Sequence, residues 1–131
     1  FLVKDLLNLG IESYGVDISK YALDNSDKEL AGRLHLGSAD DLPFIDSSFD
    51  AVLSINTIHN LNKKDCIKAI KEIERVSKGK SFIQVDAYEN LEQKKIFMSW
   101  VLTAKFHTYT YEWEKIFKKA GYTGCYNWTI I

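Results

Sequence analysis

Polar side chains end or directly follow four short apolar segments of this 131-residue chain. Asp17 ends the first segment, Ser38 to Asp41 follow the second, Asn56 to Asn60 follow the third, and Asp86 ends the fourth. A carboxylate only accepts hydrogen bonds, so Asp17 could bind both hydroxyls of a ribose. Since imidazole titrates near neutral pH, His59 could act as a general base. These residue types indicate a nucleotide site with a proton acceptor beside it.

Each candidate also has a structural interpretation. Asp17 lies two residues before Ser19 and could cap the helix that follows. Asp40 and Asp41 could form a solvated acidic turn, and His59 could be a loop histidine held by hydrogen bonds. The sequence leaves these alternatives open.

Alternating strand and helix patterns would bring these residues to one edge of a sheet. Strand patterns occupy residues 13–17, 34–36, 50–56, 81–86 and 122–131, and the 50–56 strand is apolar enough for burial on both faces. Helical patterns occupy residues 1–9, 20–25, 90–103 and 110–120, and the strongest runs from an N-cap at Asn62 to a stop at Gly79. This order predicts a doubly wound α/β domain over residues 1–131, with ligands bound beyond the carboxyl ends of its strands.

Composition excludes several classes of protein. With 17 Lys+Arg against 18 Asp+Glu, the formal charge of −1 argues against a nucleic-acid or anionic-membrane partner. The chain has neither a long apolar run nor a signal-peptide pattern. Cys66 and Cys125 form no CxxC motif, which favours free thiols in the cytoplasm. Three His and two Cys without ligand spacing predict no metal site.

The chain from Gly37 to Val52 carries the most specific pattern, reading GSADDLPF and then SFDAV after three further residues. It resembles the class I S-adenosylmethionine-dependent methyltransferases, whose corresponding loop commonly reads G-D-A-x-x-L-P-F followed by S-F-D-x-V. The Tyr14–Ser19 segment and the stretch from Tyr111 to Tyr122 extend the resemblance along the chain. The resemblance implies a three-layer Rossmann-like fold with a seven-stranded, mostly parallel sheet, helices on both faces, and S-adenosylmethionine as the methyl donor.

The resemblance also implies which residues bind the donor. Asp17 would hold the ribose, and Ile18 would pack on one face of the adenine. Asn56, after the 50–56 strand, would flank the methionine part.

The adenine position departs from the family pattern. The family's Asp, which accepts a hydrogen bond from the adenine amino group, is replaced by Ser38, and the backbone contact falls to Ala39. A serine hydroxyl accepts a hydrogen bond without carrying charge, so the adenine contact would be weaker or shared with Asp40.

A second departure concerns the family's glycine-rich loop after its first strand. None of the seven glycines forms a GxGxG motif, and the resemblance places the Phe1–Leu9 helix directly after that loop. We therefore expect the loop and the first strand upstream of Phe1, and a gap in the sheet beside the 13–17 strand.

The predicted function is methyl transfer to an O or N atom of a small molecule. Family members that methylate nucleobase amines carry N/D-P-P-Y where this chain has Asn56-Thr57-Ile58-His59. His59 would face the reacting methyl group as base, and His107 lies in an aromatic run that either walls the acceptor pocket or packs in the core. Two alternatives remain: an inactive methyltransferase-like interaction module, and a nicotinamide-dependent oxidoreductase, although no Tyr-x-x-x-Lys pair is present.

Overall fold

A computed structural model describes residues 1–130, so Ile131, at the end of the last predicted strand, lies outside the described residues. Helices and strands alternate as predicted. The α-helices are α1 (Leu2–Asn8), α2 (Lys20–Asp24), α3 (Lys63–Val76), α4 (Leu91–Trp100) and α5 (Thr110–Ala120). The strands are β1 (Gly15–Asp17), β2 (Leu34–Leu36), β3 (Val52–Ile55), β4 (Ser81–Tyr88), β5 (Thr108–Tyr109) and β6 (Cys125–Thr129). The sequence patterns do not predict β5 or the short 3-10 helices at Lys28–Leu30 and Ile58–Asn60.

Side-chain caps begin two helices at the predicted positions. Ser19 Oγ accepts a hydrogen bond from Ala22 N at 3.1 Å, and Asn62 Oδ1 accepts one from Asp65 N at 3.0 Å. Each bond satisfies a backbone N–H that has no partner within its helix. Gly121 ends α5 in the left-handed conformation, with a φ of 73°.

Helix α4 is shorter than the predicted helix over residues 90–103. It begins after Asn90, but Val101 is no longer helical, with φ −59° and ψ 130°. Phe97 is its one buried residue, and Leu102 beyond its end is exposed. A further helical turn would bury little apolar surface, so packing does not extend the helix.

All described strand pairings are parallel, which confirms the predicted sheet type. Strands β1 and β2 form one sheet, and β4 is the centre of another, with β3 and β6 along its two edges and β5 at its carboxyl end. The two sheets are separate within residues 1–130, and a cavity of about 1290 Å³, lined from β1, β2 and β3, lies between them. The resemblance implies a gap at this place, beside β1.

The hydrophobic core lies between β4 and the two helices α3 and α5. Alternate residues of β4 face these helices, and Trp113 of α5 is completely buried, donating its indole N–H to Asp86 O at 3.3 Å. The largest fully buried side chains of this core are Ile58, Ile70, Ile83, Val85 and Trp113. None of the helices in the described part of the chain is long and apolar enough to cross a membrane.

Strand β3 is buried on one face only, which differs from the prediction. Ser54 is buried and Val52 packs against the core, but Leu53 and Ile55 are 45% and 39% exposed. Leu53 and Ile55 both line the cavity between the sheets. Within residues 1–130 nothing covers this apolar face, although its composition is that of a buried strand.

The core assignment predicts a large stability loss on truncation of Ile70. Ile70→Ala removes a fully buried side chain of α3 and leaves a cavity, so we expect the free energy of unfolding to fall by about 2–5 kcal/mol in urea denaturation. Leu102→Ala, at a side chain that is 94% exposed, is the control and should change it by less than about 0.5 kcal/mol. Equal losses in the two variants would contradict this core.

Candidate functional site

The cavity between the two sheets collects most of the predicted donor-binding residues. It runs along β1, β2 and β3 and reaches the carboxyl ends of β1 and β2, where a parallel α/β sheet places its ligands. Its lining includes four predicted residues and two polar residues that the predictions do not assign to the donor: Asp17, Ile18, Ser38, Ala39, Thr57 and Asn60. Asp40, Asn56 and His59 are adjacent in sequence but lie outside this lining.

The contacts of Asp17 match the structural interpretation, and they leave one of its carboxylate oxygens without a partner among the described residues. Its Oδ1 accepts a hydrogen bond from Ser19 N at 2.8 Å, so the carboxylate helps to shape the start of α2. Its Oδ2 accepts no hydrogen bond from the described residues. Since the side chain is exposed at the cavity, the acid can orient the helix and still accept hydrogen bonds from a ligand.

A tight turn over Ser38–Asp41 follows β2. Asp41 N donates to Ser38 O at 3.1 Å, and the Ser38 hydroxyl donates to Asp40 Oδ1. This second bond sets a carboxylate beside the hydroxyl that replaces the family's Asp. The turn is tied to β1 because Gly37 N donates to Asp17 O at 3.0 Å.

Asn56 leaves β3 in the left-handed backbone region, with a φ of 48° that asparagine tolerates better than most residues. Its N–H donates to Gln84 O at 2.9 Å, and its Oδ1 accepts a hydrogen bond from Thr129 Oγ1 at 3.2 Å. Gln84 Nε2 in turn donates to Thr129 Oγ1 at 3.0 Å. These bonds fix the start of the loop after β3 on the central strands.

Two buried side-chain oxygens have no hydrogen-bond partner among the described residues, Ser54 Oγ and Asn60 Oδ1, and both residues line the cavity. A buried polar atom without a partner costs about 1–3 kcal/mol. The Asn60 amide is weakly held, because its Nδ2 lies 3.5 Å from Asn56 O. The sequence analysis named Asn60 only as the end of the polar segment that begins at Asn56, and it gave Asn60 no role of its own.

His59 is 3% exposed and contacts β4 instead of the cavity. Its Nδ1 accepts the backbone N–H of Asp86 at 3.3 Å, and its Nε2 lies 3.5 Å from Asp86 Oδ2. The acceptor role of Nδ1 assigns the proton to Nε2. Burial lowers the pKa of His59, and the Asp86 carboxylate opposes that shift in part.

His107 packs in an aromatic cluster at the end of β4. Its Nδ1 lies 3.2 Å from Tyr88 Oη, and its ring centroid is 5.0 Å from that of Phe97. Tyr109 stands edge-on to Tyr88 at 4.6 Å. Burial, with a smaller effect of Lys94, lowers the pKa of His107. These contacts favour the packing role over the pocket-wall role.

The parallel strands, the helices between them and the cavity that reaches the strand ends form a Rossmann-like α/β arrangement, which nucleotide-binding domains share. Residues 1–85 match the methyltransferase domain family, and the chain belongs to that family. No curated protein matches the chain at a significant level.

Two solved structures resemble the chain over most of its length. One is a complex between the Haloferax volcanii Trm112 methyltransferase activator and a protein described as a methyltransferase, with 25% identity, a TM-score of 0.66, and coverage of 90% of this chain and 54% of that one. The other is a SAM-dependent methyltransferase of Thermotoga maritima, described as a possible histamine N-methyltransferase, with 27% identity, a TM-score of 0.64 and coverage of 88% and 57%. The chain therefore spans about half the length of these two proteins.

The contacts of His59 predict a pH effect on stability. The unfolded chain takes up this proton near pH 6.5, whereas the buried ring, with its lowered pKa, takes it up only at lower pH. The unfolded state then binds more protons, so the free energy of unfolding falls as the pH drops through about 6.5, by at most about 1.4 kcal/mol per pH unit for one such group.

His59→Asn keeps an acceptor near the Nδ1 position but does not titrate, so the fall in unfolding free energy between pH 7.5 and 5.5 should be smaller in this variant. Urea denaturation at both pH values measures it. Part of the slope should remain, because the pKa of His107 is also lowered. A slope equal to that of the wild type would contradict the buried neutral ring.

Proposed function

We propose that the chain forms the donor-binding core of a methyltransferase that transfers a methyl group from S-adenosylmethionine to an O or N atom of a small molecule. When bound, this donor supplies a methyl group on a positively charged sulfur, which a nucleophile attacks in line. The observation that best supports this proposal is that Asp17, Ser38 and Ala39 line one cavity, which reaches the carboxyl ends of β1 and β2.

The proposed donor contacts follow from these positions. Asp17 Oδ2 accepts hydrogen bonds from the ribose hydroxyls, and Ile18, which is exposed at the cavity, packs on the adenine. Ser38 Oγ accepts the adenine amino group, with the Asp40 carboxylate beside it, and Ala39 offers its backbone N–H to a ring nitrogen.

The loop after β3 is the proposed site of the donor's amino-acid end. Asn56 sets the path of this loop, and Asn60 carries the unpartnered Oδ1 in the cavity wall. Because Nδ2 is held only by a 3.5 Å contact, rotation of the amide presents Oδ1 to an α-ammonium group. This contact would satisfy a buried oxygen that is otherwise costly.

Methyl transfer requires orientation and exclusion of water more than acid–base chemistry. A neutral amine acceptor needs no base, whereas a hydroxyl acceptor benefits from one. That His59 is this base stays a prediction. Its ring is buried and its Nδ1 already accepts the backbone N–H of Asp86, which favours a structural role. We propose instead that His59 positions the loop after β3 on β4.

We also propose that the methyl acceptor is a small molecule. The absence of an N/D-P-P-Y segment and the balanced charge favour a small metabolite over a nucleic acid. Both cysteines are free thiols, which supports a cytoplasmic location. A larger acceptor, methylated together with a partner protein, is the second candidate, because the Haloferax volcanii structure is a complex with a methyltransferase activator. Turnover of small amines or alcohols by the isolated protein would decide against it.

Calorimetric titration of S-adenosylhomocysteine into the full-length protein that contains this chain tests the donor site. We expect binding, and we expect Asp17→Ala to weaken it by about 1–3 kcal/mol through the loss of hydrogen bonds to a charged group. Lys20→Ala, at an exposed surface pair with Asp24, is the control and should bind as the wild type does. No binding by the folded protein would overturn the proposal. Binding of a nicotinamide dinucleotide instead would favour the oxidoreductase alternative. Binding of S-adenosylhomocysteine without methylation of any acceptor would favour the interaction module.

The proposed Asn60 contact can be tested with a second ligand. 5′-Methylthioadenosine has the nucleoside and thioether of S-adenosylhomocysteine but lacks its amino-acid end. Asn60→Ala should weaken S-adenosylhomocysteine binding about tenfold or more and leave 5′-methylthioadenosine binding unchanged. Asn60→Asp retains an acceptor oxygen and should restore the first affinity. An equal loss for both ligands in Asn60→Ala would contradict the contact.

A further inference from the structure

Arg75, in the last turn of α3, holds the segment that follows the Ser38–Asp41 turn. Its Nε and Nη2 bind the two carboxylate oxygens of Glu72, each at 2.7 Å. Its other donors reach the carbonyl oxygens of Leu42 at 3.2 Å and Phe44 at 2.7 Å. A fifth bond joins Nη1 to Asp46 Oδ1 at 2.9 Å. The guanidinium has five N–H groups, and these five bonds use all of them.

Glu72 contributes a contact of its own to this arrangement, which we call the Arg75 clamp (Leu42, Phe44, Asp46, Glu72 and Arg75). Its Oε2 also accepts the backbone N–H of Leu42 at 2.8 Å, so Leu42 is held through both its N–H and its carbonyl. The hydrogen bond from Arg75 lowers the pKa of Glu72. A planar fork makes two parallel bonds to a carboxylate, which the single ammonium of lysine cannot reproduce.

The clamp lies next to the adenine position of the proposed site. Leu42 directly follows the Ser38–Asp41 turn, whose other end is tied to β1 by the bond from Gly37 N to Asp17 O. The turn is therefore held between two anchors, the end of β1 and the Arg75 clamp. Its position relative to Asp17 depends on both, although Arg75 itself does not line the cavity.

We propose that Arg75 is a positioning residue for adenine recognition, acting through Leu42 on the Ser38–Asp41 turn. This inference rests on the proposed donor site. In that site Ser38 Oγ accepts the adenine amino group and Ala39 N–H meets a ring nitrogen. Displacement of the turn then weakens recognition of the base, while the Asp17 contact with the ribose is retained.

A pair of ligands isolates this effect from general loss of structure. S-inosylhomocysteine carries a carbonyl oxygen and a ring N–H where S-adenosylhomocysteine carries the amino group and the bare ring nitrogen, and the ribose and amino-acid parts are identical. Calorimetric affinities of both ligands for the full-length protein give an adenine preference, which we expect to be about tenfold or more in the wild type.

Arg75→Lys keeps the charge but loses the fork, so the preference should fall to about threefold or less. Lys78→Gln is the matched control. It removes another basic residue that is ion-paired, to Asp50 at 3.2 Å, and that makes no hydrogen bond to any clamp residue. It should keep the wild-type preference. Glu72→Gln, which removes the charged acceptor of the fork, gives the same measurement if Arg75→Lys does not fold.

The outcomes separate the clamp from the donor site itself. A reduced preference in Arg75→Lys with an unchanged one in Lys78→Gln supports the proposal. A wild-type preference in Arg75→Lys, or an equal loss of both affinities, overturns it, because a purely structural role lowers both affinities together. A wild-type protein that binds both ligands equally overturns it too. One that binds neither overturns the proposed function as well.

Discussion

The structure depends on one requirement, that the backbone of the buried strand β4 finds hydrogen-bond partners along both edges. One edge pairs with β6 as far as Asp86, whereas the other pairs with β3 only as far as Gln84. Asn56 N still reaches Gln84 O, and the next N–H on that edge, from Asp86, donates to His59 Nδ1. The His59 side chain thus provides a hydrogen-bond acceptor to β4 beyond the point where β3 ends. This need explains why the loop after β3 folds back onto β4.

Helix α3 holds a loop on each side of the cavity through hydrogen bonds at its two ends. At its first turns the Cys66 thiol donates to Ile58 O at 2.9 Å, and burial raises the pKa of Cys66 to about 12, so the group stays a neutral donor. At its last turn the Arg75 clamp holds the segment after β2. Since α3 is packed against β4 and α5 along its length, the two loops that border the cavity are carried by one rigid element.

Local patterns predicted what local chemistry determines. Ser19 and Asn62 begin their helices because their side chains reach an N–H three residues on, and the spacing of the buried residues of α3 follows the helical period. The strand-end rule and the family resemblance predicted that Asp17 and Ser38 lie at one site, and both residues line the same cavity. Local sequence patterns could not predict contacts between segments that are far apart in the chain. The pairing of His59 with Asp86 spans 27 residues, and that of Arg75 with Phe44 spans 31.

The cavity is also where the two halves of the domain are least connected. Strands β1 and β2 form their own sheet, and the apolar face of β3 that carries Leu53 and Ile55 is open toward them. A ligand held by Asp17 on one side and by Asn60 on the other contacts both halves, whereas the unfolded chain offers no such arrangement. Binding therefore adds stability by mass action, and the stabilised part is the junction between the sheets. In the proposed site, the residues that recognise the donor are therefore the ones that border the junction between the two sheets.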